Sequence, residues 1–376
     1  MYEHHNFFYF FRNRELNELF ISMAIRTFAI SLAGIFLPMY LYQLGYSISS
    51  ILFFFAFMAF FSLVLLFPAL KISYRFGLKH TILFSMPFLI IFFLLIFSLE
   101  YYNWPLIILA FFAGLHGALF WFAYHEDFSK FSNKKNRGSQ VGFLIILTSI
   151  FAALGPIAGA LIITFLGFNV LFIIVSVLLL GSTFPLFLTK EIHVPIQFSF
   201  EDIFKYSNFK DKIAYMGSGI EARLVAIIWP LFIFIFIFNE VYLSLGLFSS
   251  ITFFSSLVFV FLSRKYSDIH RRLLLKIGTV SNSIVWFVKS FLVTPIQVFI
   301  IGIFYGASKA SIDVSFTALN YDKTNKRNRA KIIFQREVFM NLGATIFLFI
   351  LAFASDYMLE AIRYGGSLSS LMMFFF

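Results

Sequence analysis

Glu221, Lys309 and Asp313 are ionisable residues set in the middle of long apolar stretches, and so are Arg26, His116 and Arg223. Groups of this kind, removed from water, can exchange a proton, hold an ion of opposite charge or neutralise one another between packed helices. Lys309 and Asp313 stand four residues apart, so on a helix they share one face and can form an ion pair. Glu221 and Asp313 are the candidate proton carriers, because a carboxyl in a dry cavity can load and unload a proton as access to water changes. Other chemistry finds little support. The chain has no cysteine, which excludes disulfides, thiolate metal sites and thiol nucleophiles. It has no His-Glu-x-x-His, no Gly-x-Ser-x-Gly and no Gly-x-x-x-x-Gly-Lys-Ser/Thr phosphate loop, which argues against a lipid-acting enzyme and a nucleotide-driven pump. His125-Glu126-Asp127 groups three metal-ligating types, but neighbours on a helix end point in different directions, so no metal is expected there.

The elements that must carry these residues follow from composition. Of 376 residues, 60% are hydrophobic and 12% charged, and the mean hydropathy is +0.89, whereas a soluble domain is about one quarter charged. Spans of roughly 20 residues suffice to cross a bilayer. Apolar stretches of that kind run over 18–44, 47–70, 81–98, 105–124, 139–165 and 167–188, then over 213–238, 243–262, 273–292, 295–319 and 332–354, with a short last one at 366–376. The expected fold is therefore all-α, with twelve transmembrane helices. The chain divides into a cytoplasmic or interfacial N-terminus (1–17), a six-helix half (18–188), a cytoplasmic central loop (189–212) and a second six-helix half (213–376) whose last helix is short and possibly truncated. The aromatic run 7–11 reads as an interfacial anchor and the segment 199–205 as a capped surface helix. With 59 Phe residues the helix surfaces suit lipid. Measured along the helix rise, Arg26 and Glu221 lie roughly 12 Å inside their spans and Lys309 about 16 Å from Asn320, near the midplane.

Orientation follows from the basic residues, which are retained on the cytoplasmic side. Of the 29 Lys and Arg, 23 lie at the N-terminus or at the connections after the even-numbered spans, and only Lys289 and Arg363 lie on the other side. Both termini are thus expected in the cytoplasm of a multi-pass plasma-membrane protein. The net charge of +11 is confined to these loops and does not point to nucleic acid. A shift of 192 residues brings Asn133-Lys134-Lys135-Asn136-Arg137-Gly138 onto Asn325-Lys326-Arg327-Asn328-Arg329-Ala330, Pro38 onto Pro230 and Tyr74 onto Tyr266. Two parallel six-helix repeats are the architecture this suggests.

With these features the sequence resembles the major facilitator superfamily over essentially its whole length. Its loop after span 2 keeps Arg75, Gly77 and Lys79 of that family's Gly-x-x-x-Asp-Arg-x-Gly-Arg-Arg/Lys pattern, with Leu70 and Tyr74 replacing the glycine and the acid; the loop after span 8 keeps Asp268. Gly155-Pro156-x-x-Gly159 resembles the fifth-helix motif associated with antiporters, though two glycines four apart also serve ordinary close packing. The resemblance implies a central cavity lined by spans 1, 4, 7 and 10, with 3, 6, 9 and 12 facing outward. Arg26, His116, Glu221, Arg223, Lys309 and Asp313 would then line the cavity as substrate and ion-coupling residues, and Arg75, Gly77, Lys79, Gly155, Pro156, Gly159 and Asp268 would serve packing and gating. Arg336-Glu337 reads as a structural pair at the cytoplasmic rim. Counting groups inside the spans leaves one positive charge unmatched, which an anionic substrate would satisfy.

The expected function is secondary transport of a small solute by alternating access, coupled to protons, with export or antiport as its direction. It needs no cofactor beyond the proton gradient, and a monomer in the lipid bilayer, with a small-molecule substrate as its partner, suffices. The alternative is a membrane sensor or scaffold on a transporter frame.

Overall fold

Within a bilayer no water meets an exposed backbone group, so a chain this apolar must close its hydrogen bonds within its own segments, which helices do. The computed structural model describes residues 14–132, 137–191, 208–325 and 328–376, with the side chains of 137–139 and 263–269 left aside. The aromatic N-terminal run, the segment 199–205, most of the two matching basic hexapeptides and the side chain of Asp268 lie outside the described residues.

Helix α1 (Arg14–Ala33) continues after a short break as α2 (Leu37–Gln43). Next come α3 (Ile48–Val64) and α4 (Leu66–Phe76), bent by 47° where Pro68 withholds a backbone donor, then α5 (Leu78–Ser98) and α6 (Leu106–Phe131). The run α7 (Arg137–Thr183) is broken at Gly167, whose φ of 80° is the left-handed region open to glycine; this is where the sequence separates two spans. After the central segment, α8 (Phe209–Arg223) passes through a wide turn, Leu224–Ile228, into α9 (Trp229–Phe236). Pro38 and Pro230, matched at the 192-residue shift, each follow such an irregular turn, as a residue without an N–H requires. The remaining helices are α10 (Tyr242–Ile269), α11 (Arg271–Lys289), α12 (Pro295–Asp322) and α13 (Arg329–Phe353).

Among the described residues eight helices are long and apolar enough to cross a membrane, or nine with the bent α3–α4 pair. The end of the chain departs from expectation. Instead of a polar connection before a short helix, one helical run starts at Ser355–Tyr357 and continues through Met358–Glu360, a wide turn at Ala361–Gly365 and Gly366–Met372 to Met373–Phe375. That is roughly 30 Å of helix, enough for a bilayer. Glu360 and Arg363 disguised it in the sequence, yet Arg363 reaches across to Ser290 Oγ, 2.8 Å from its Nε, and lies over the Phe291 ring.

The same packings recur in both parts of the chain. Helix α1 lies on α7 as α8 lies on α13, α5 on α6 as α11 on α12, and α3 on α6 as α10 on α12. Between the parts, α7 meets α10 and α3 meets α13. A shared apolar core ties α1–α3 and α5 to α9–α11 on the side away from the basic loops.

Candidate functional site

Two polar clusters lie in the apolar interior, built on the same three helices of each set. In the C-terminal set Glu221, at the end of α8, is fully enclosed. Lys309 Nζ of α12 lies 2.6 Å from its Oε2, Tyr305 donates its hydroxyl to Oε1 at 2.8 Å, and Asn282 of α11 donates its amide to Oε1 at 3.2 Å. Asn282 in turn accepts from Ser308 and donates to Ser370. Lys309 Nζ also lies 2.9 Å from Asp313 Oδ1, one helical turn on, and Asp313 keeps 43% of its side chain accessible. Lys309 thus spans an enclosed carboxylate and an accessible one. Leu273, Ile277 and Ile284 of α11 and Leu368 of the last helix are exposed, while on the inner faces of these helices Asn282 and Ser370 join this network; the short spacing signal in the sequence showed only the Lys309–Asp313 half of it.

In the N-terminal set Arg26 of α1 is buried, and its Nη2 donates to His116 Nε2 of α6 at 3.2 Å. His116 Nδ1 lies 3.0 Å from the Ser85 carbonyl of α5, so Nδ1 carries the ring proton and Nε2 is free to accept. The guanidinium carbon sits 3.8 Å above the Phe120 ring. Among the described residues no carboxylate lies within salt-bridge distance of Arg26, and its Nε has no hydrogen-bond partner. Arg223 is half-buried and likewise outside ion-pair distance of a carboxylate among the described residues; the charge that reaches it is that of Glu337.

Arg336 and Glu337 are paired, as the sequence suggested, but they do more than pair at a rim. Glu337 lies 3.8 Å from His125 of α6, and His125 shares a 2.6 Å hydrogen bond with Tyr321 of α12. Glu126 pairs with Arg329 at 2.7 Å and Ser129 meets Thr324 at 2.9 Å. His125 and Glu126 are therefore bridges between the two helix sets at the basic end, and no metal-binding group occurs among the described residues. Beside them burial pushes the Lys323 amine down, against the pull of Asp211 at 2.7 Å. At the opposite end Ser49 donates to the Ala352 carbonyl at 2.6 Å and Phe53 packs edge-on against Phe349 and Phe353. The sets touch at both ends.

The loop motif is used differently from expectation. Arg75 is exposed, over the Phe76 ring. Lys79 is buried and reaches Glu15 at 2.6 Å, Glu18 at 3.1 Å and Thr189. Glu191 caps α5, accepting from the backbone N–H of Lys79 at 2.8 Å and of His80 at 3.2 Å, and it lies so close to Gly77 (φ 94°) that a Cβ there would sit 2.4 Å from its carboxyl carbon. The acid missing at Tyr74 is thus supplied from the segment that follows α7 and from α1, by residues too distant in sequence for the motif to reveal. Replacing Lys79 by alanine strands two close carboxylates and should cost about 3 kcal/mol, whereas Arg75→Ala should leave stability unchanged. Thermal unfolding of the detergent-purified variants checks this, and equal losses would refute it.

Gly155 and Gly159 face α1 at Ser31 and Leu32, while Pro156 and Ala160 on the other side receive Gly246 of α10. The backbone stays helical through Pro156. Lys289, counted from the sequence on the side opposite the basic loops, is buried at the end of α11 with its amine 3.7 Å from the Trp286 and Tyr305 ring centres and 5.0 Å from that of Trp229. Trp286, one turn before it, was the only local sign of such an enclosure.

The model of the Major Facilitator Superfamily matches residues 19–211, more than half of the chain. No curated protein matches it by sequence. Among solved structures it is similar to the E. coli fucose:proton symporter FucP, at 14% identity over 96% of each chain with a TM-score of 0.69. It is also similar to the human organic anion transporter MFSD10 (TETRAN), at 10% identity over 96% of this chain and 97% of that one, again with a TM-score of 0.69. At such identities the likeness is one of fold. Taken with the apolar helices and the sequence match, it makes this chain a multi-pass membrane protein that belongs to the Major Facilitator Superfamily of transporters.

Proposed function

We propose that the chain is a proton-coupled secondary transporter that moves a small solute by alternating access, outward across the cell membrane and as a monomer. In this reading twelve spans form two six-helix halves, 18–188 and 213–376, with both termini and the 189–212 connection in the cytoplasm. The observation that carries it is Lys309 held between enclosed Glu221 and accessible Asp313. One ammonium and two carboxylates leave this cluster with one negative charge, and a buried net charge is costly. A single proton neutralises it. Protonation at Asp313, the accessible member, loosens Lys309 on one side while Glu221 still holds it on the other, so proton loading can be read out as a movement of α12 against α8. The recurrent packings in the two helix sets and the matched Pro38 and Pro230 support the two-half arrangement. FucP, named a fucose:proton symporter, supports proton coupling within this fold, and Gly155-Pro156-x-x-Gly159 supports export. The two similar structures are named for different substrates, so they do not set the substrate here.

The bridges at the basic end must open in each cycle. A Ser129→Cys/Thr324→Cys protein can lock them by a disulfide, and the absence of native cysteine prevents any other. In proteoliposomes with a trapped pH dye, solute-evoked proton movement should stop on oxidation, return on reduction and be absent in Asp313→Asn. Movement that persists in the locked protein would sink alternating access; persistence in Asp313→Asn would sink the coupling role. A sensor or scaffold would show no solute-evoked movement in any form.

A further inference from the structure

We infer that Arg26 is the anchor of a substrate site for a small, flat monocarboxylate, an assignment that rests on the transport reading above. A guanidinium carries five N–H donors, and this one spends a single hydrogen bond, on His116. Its Nε is buried without an acceptor, and among the described residues no carboxylate is near enough to neutralise it. Among the described residues, the other ionisable side chain acting on it is the Tyr124 phenol. A structural arginine in an apolar interior is normally paired, because an uncompensated charge there is strongly unfavourable. This one is instead held in a fixed plane. The Ser85 carbonyl orients His116, His116 takes one guanidinium hydrogen, and Phe120 covers one face at 3.8 Å with Trp121 5.1 Å away. The C-terminal cluster contrasts with it, since Lys309 is held in ion pairs with Glu221 and Asp313.

The unused donors and the single unmatched charge define the ligand. A carboxylate matches the planar fork of a guanidinium with two parallel hydrogen bonds, and one negative charge balances the site. The rings of Phe120 and Trp121 beside the guanidinium favour a flat apolar body on the same solute. His116 donates its only proton to Ser85, so it offers nothing to an anion directly; it is a positioning residue that keeps the fork aimed.

Benzoate, benzamide and benzylammonium share one shape and differ in charge, which makes them suitable probes for the full-length protein in detergent. Benzoate should raise the unfolding temperature saturably and the other two should not, because a ligand bound by the folded state alone stabilises it. In Arg26→Gln the benzoate effect should vanish, and the ligand-free variant should be at least as stable as the wild type, since an unpaired charge has been removed. Arg26→Lys keeps the charge but not the fork and should weaken benzoate at least tenfold; His116→Phe should weaken it less than Arg26→Gln. Stabilisation of the wild type by benzylammonium or benzamide rather than benzoate would overturn the assignment, as would no response to benzoate. So would an equal benzoate effect in Arg26→Gln, or a ligand-free Arg26→Gln that unfolds readily. Benzoate binding without evoked proton movement in proteoliposomes would leave the site standing and remove the transport reading. Proton movement evoked only by benzylammonium would do the reverse.

Discussion

Lys309→Met should destabilise the folded protein by about 3–5 kcal/mol, the cost of leaving a buried ion without its partner. Glu221 is fully enclosed, so once Lys309 is gone its hydrogen-bond partners among the described residues are the Tyr305 hydroxyl and the Asn282 amide. Neither donor carries a charge. The reverse substitution should be milder. In Glu221→Gln the ammonium keeps Asp313 at 2.9 Å and 21% of its side chain stays accessible, while glutamine still accepts from Tyr305 and Asn282. A loss of about 1–2 kcal/mol is expected, the scale of a charge-assisted hydrogen bond. Thermal unfolding in one detergent ranks the two, and a Lys309→Met no worse than Glu221→Gln would show that Glu221 is not held by Lys309.

Removing both charges separates fold from function. Lys309→Met/Glu221→Leu removes the enclosed carboxylate together with its partner; Asp313 also loses Lys309 but is 43% accessible, and apolar replacements of similar volume are often neutral for stability. The double variant should recover to within about 1 kcal/mol of the wild type. Its proton coupling should not recover, because the group that links Asp313 to α8 is missing.

The membrane explains why so much of the fold was legible. A bilayer permits helices and imposes their length, so a hydropathy reading found the break at Gly167 and the continuous α12. Local spacing also exposed the Lys309–Asp313 pair, since four residues on a helix bring side chains together whatever else packs nearby. Pairings across helices left no such trace. Glu221 meets Lys309 across 88 residues and Glu126 meets Arg329 across 203. Which way Asn282 and Ser370 turn depends on how α11 and the C-terminal helix are rotated about their axes, and packing sets that rotation. Lys289 and Arg363 misled for a related reason. Long side chains at helix ends can fold back over aromatic rings, so a charge near a boundary does not mark where the helix stops.

Gly159→Ala should be strongly damaging, costing about 3 kcal/mol or more through overpacking. The added Cβ would lie 2.0 Å from the Leu32 carbonyl oxygen, 2.9 Å from its carbonyl carbon and 3.0 Å from the Phe36 ring. Two of these atoms are backbone of α1, so relief requires α1 and α7 to separate along a contact that also positions Arg26. Gly155 offers a control on the same face. There a Cβ would meet Ser31 Oγ at 1.8 Å and Ser31 Cβ at 2.6 Å, both side-chain atoms, before the Ser31 carbonyl carbon at 2.9 Å. Ser31→Gly should therefore rescue much of Gly155→Ala, whereas no side-chain change on α1 can rescue Gly159→Ala. Folded yield and unfolding temperature of the singles and the double distinguish these cases. If Gly159→Ala folds as well as the wild type while solute-evoked proton movement is lost, the glycine pair serves the transport cycle directly rather than the α1–α7 contact, and the close-packing account fails.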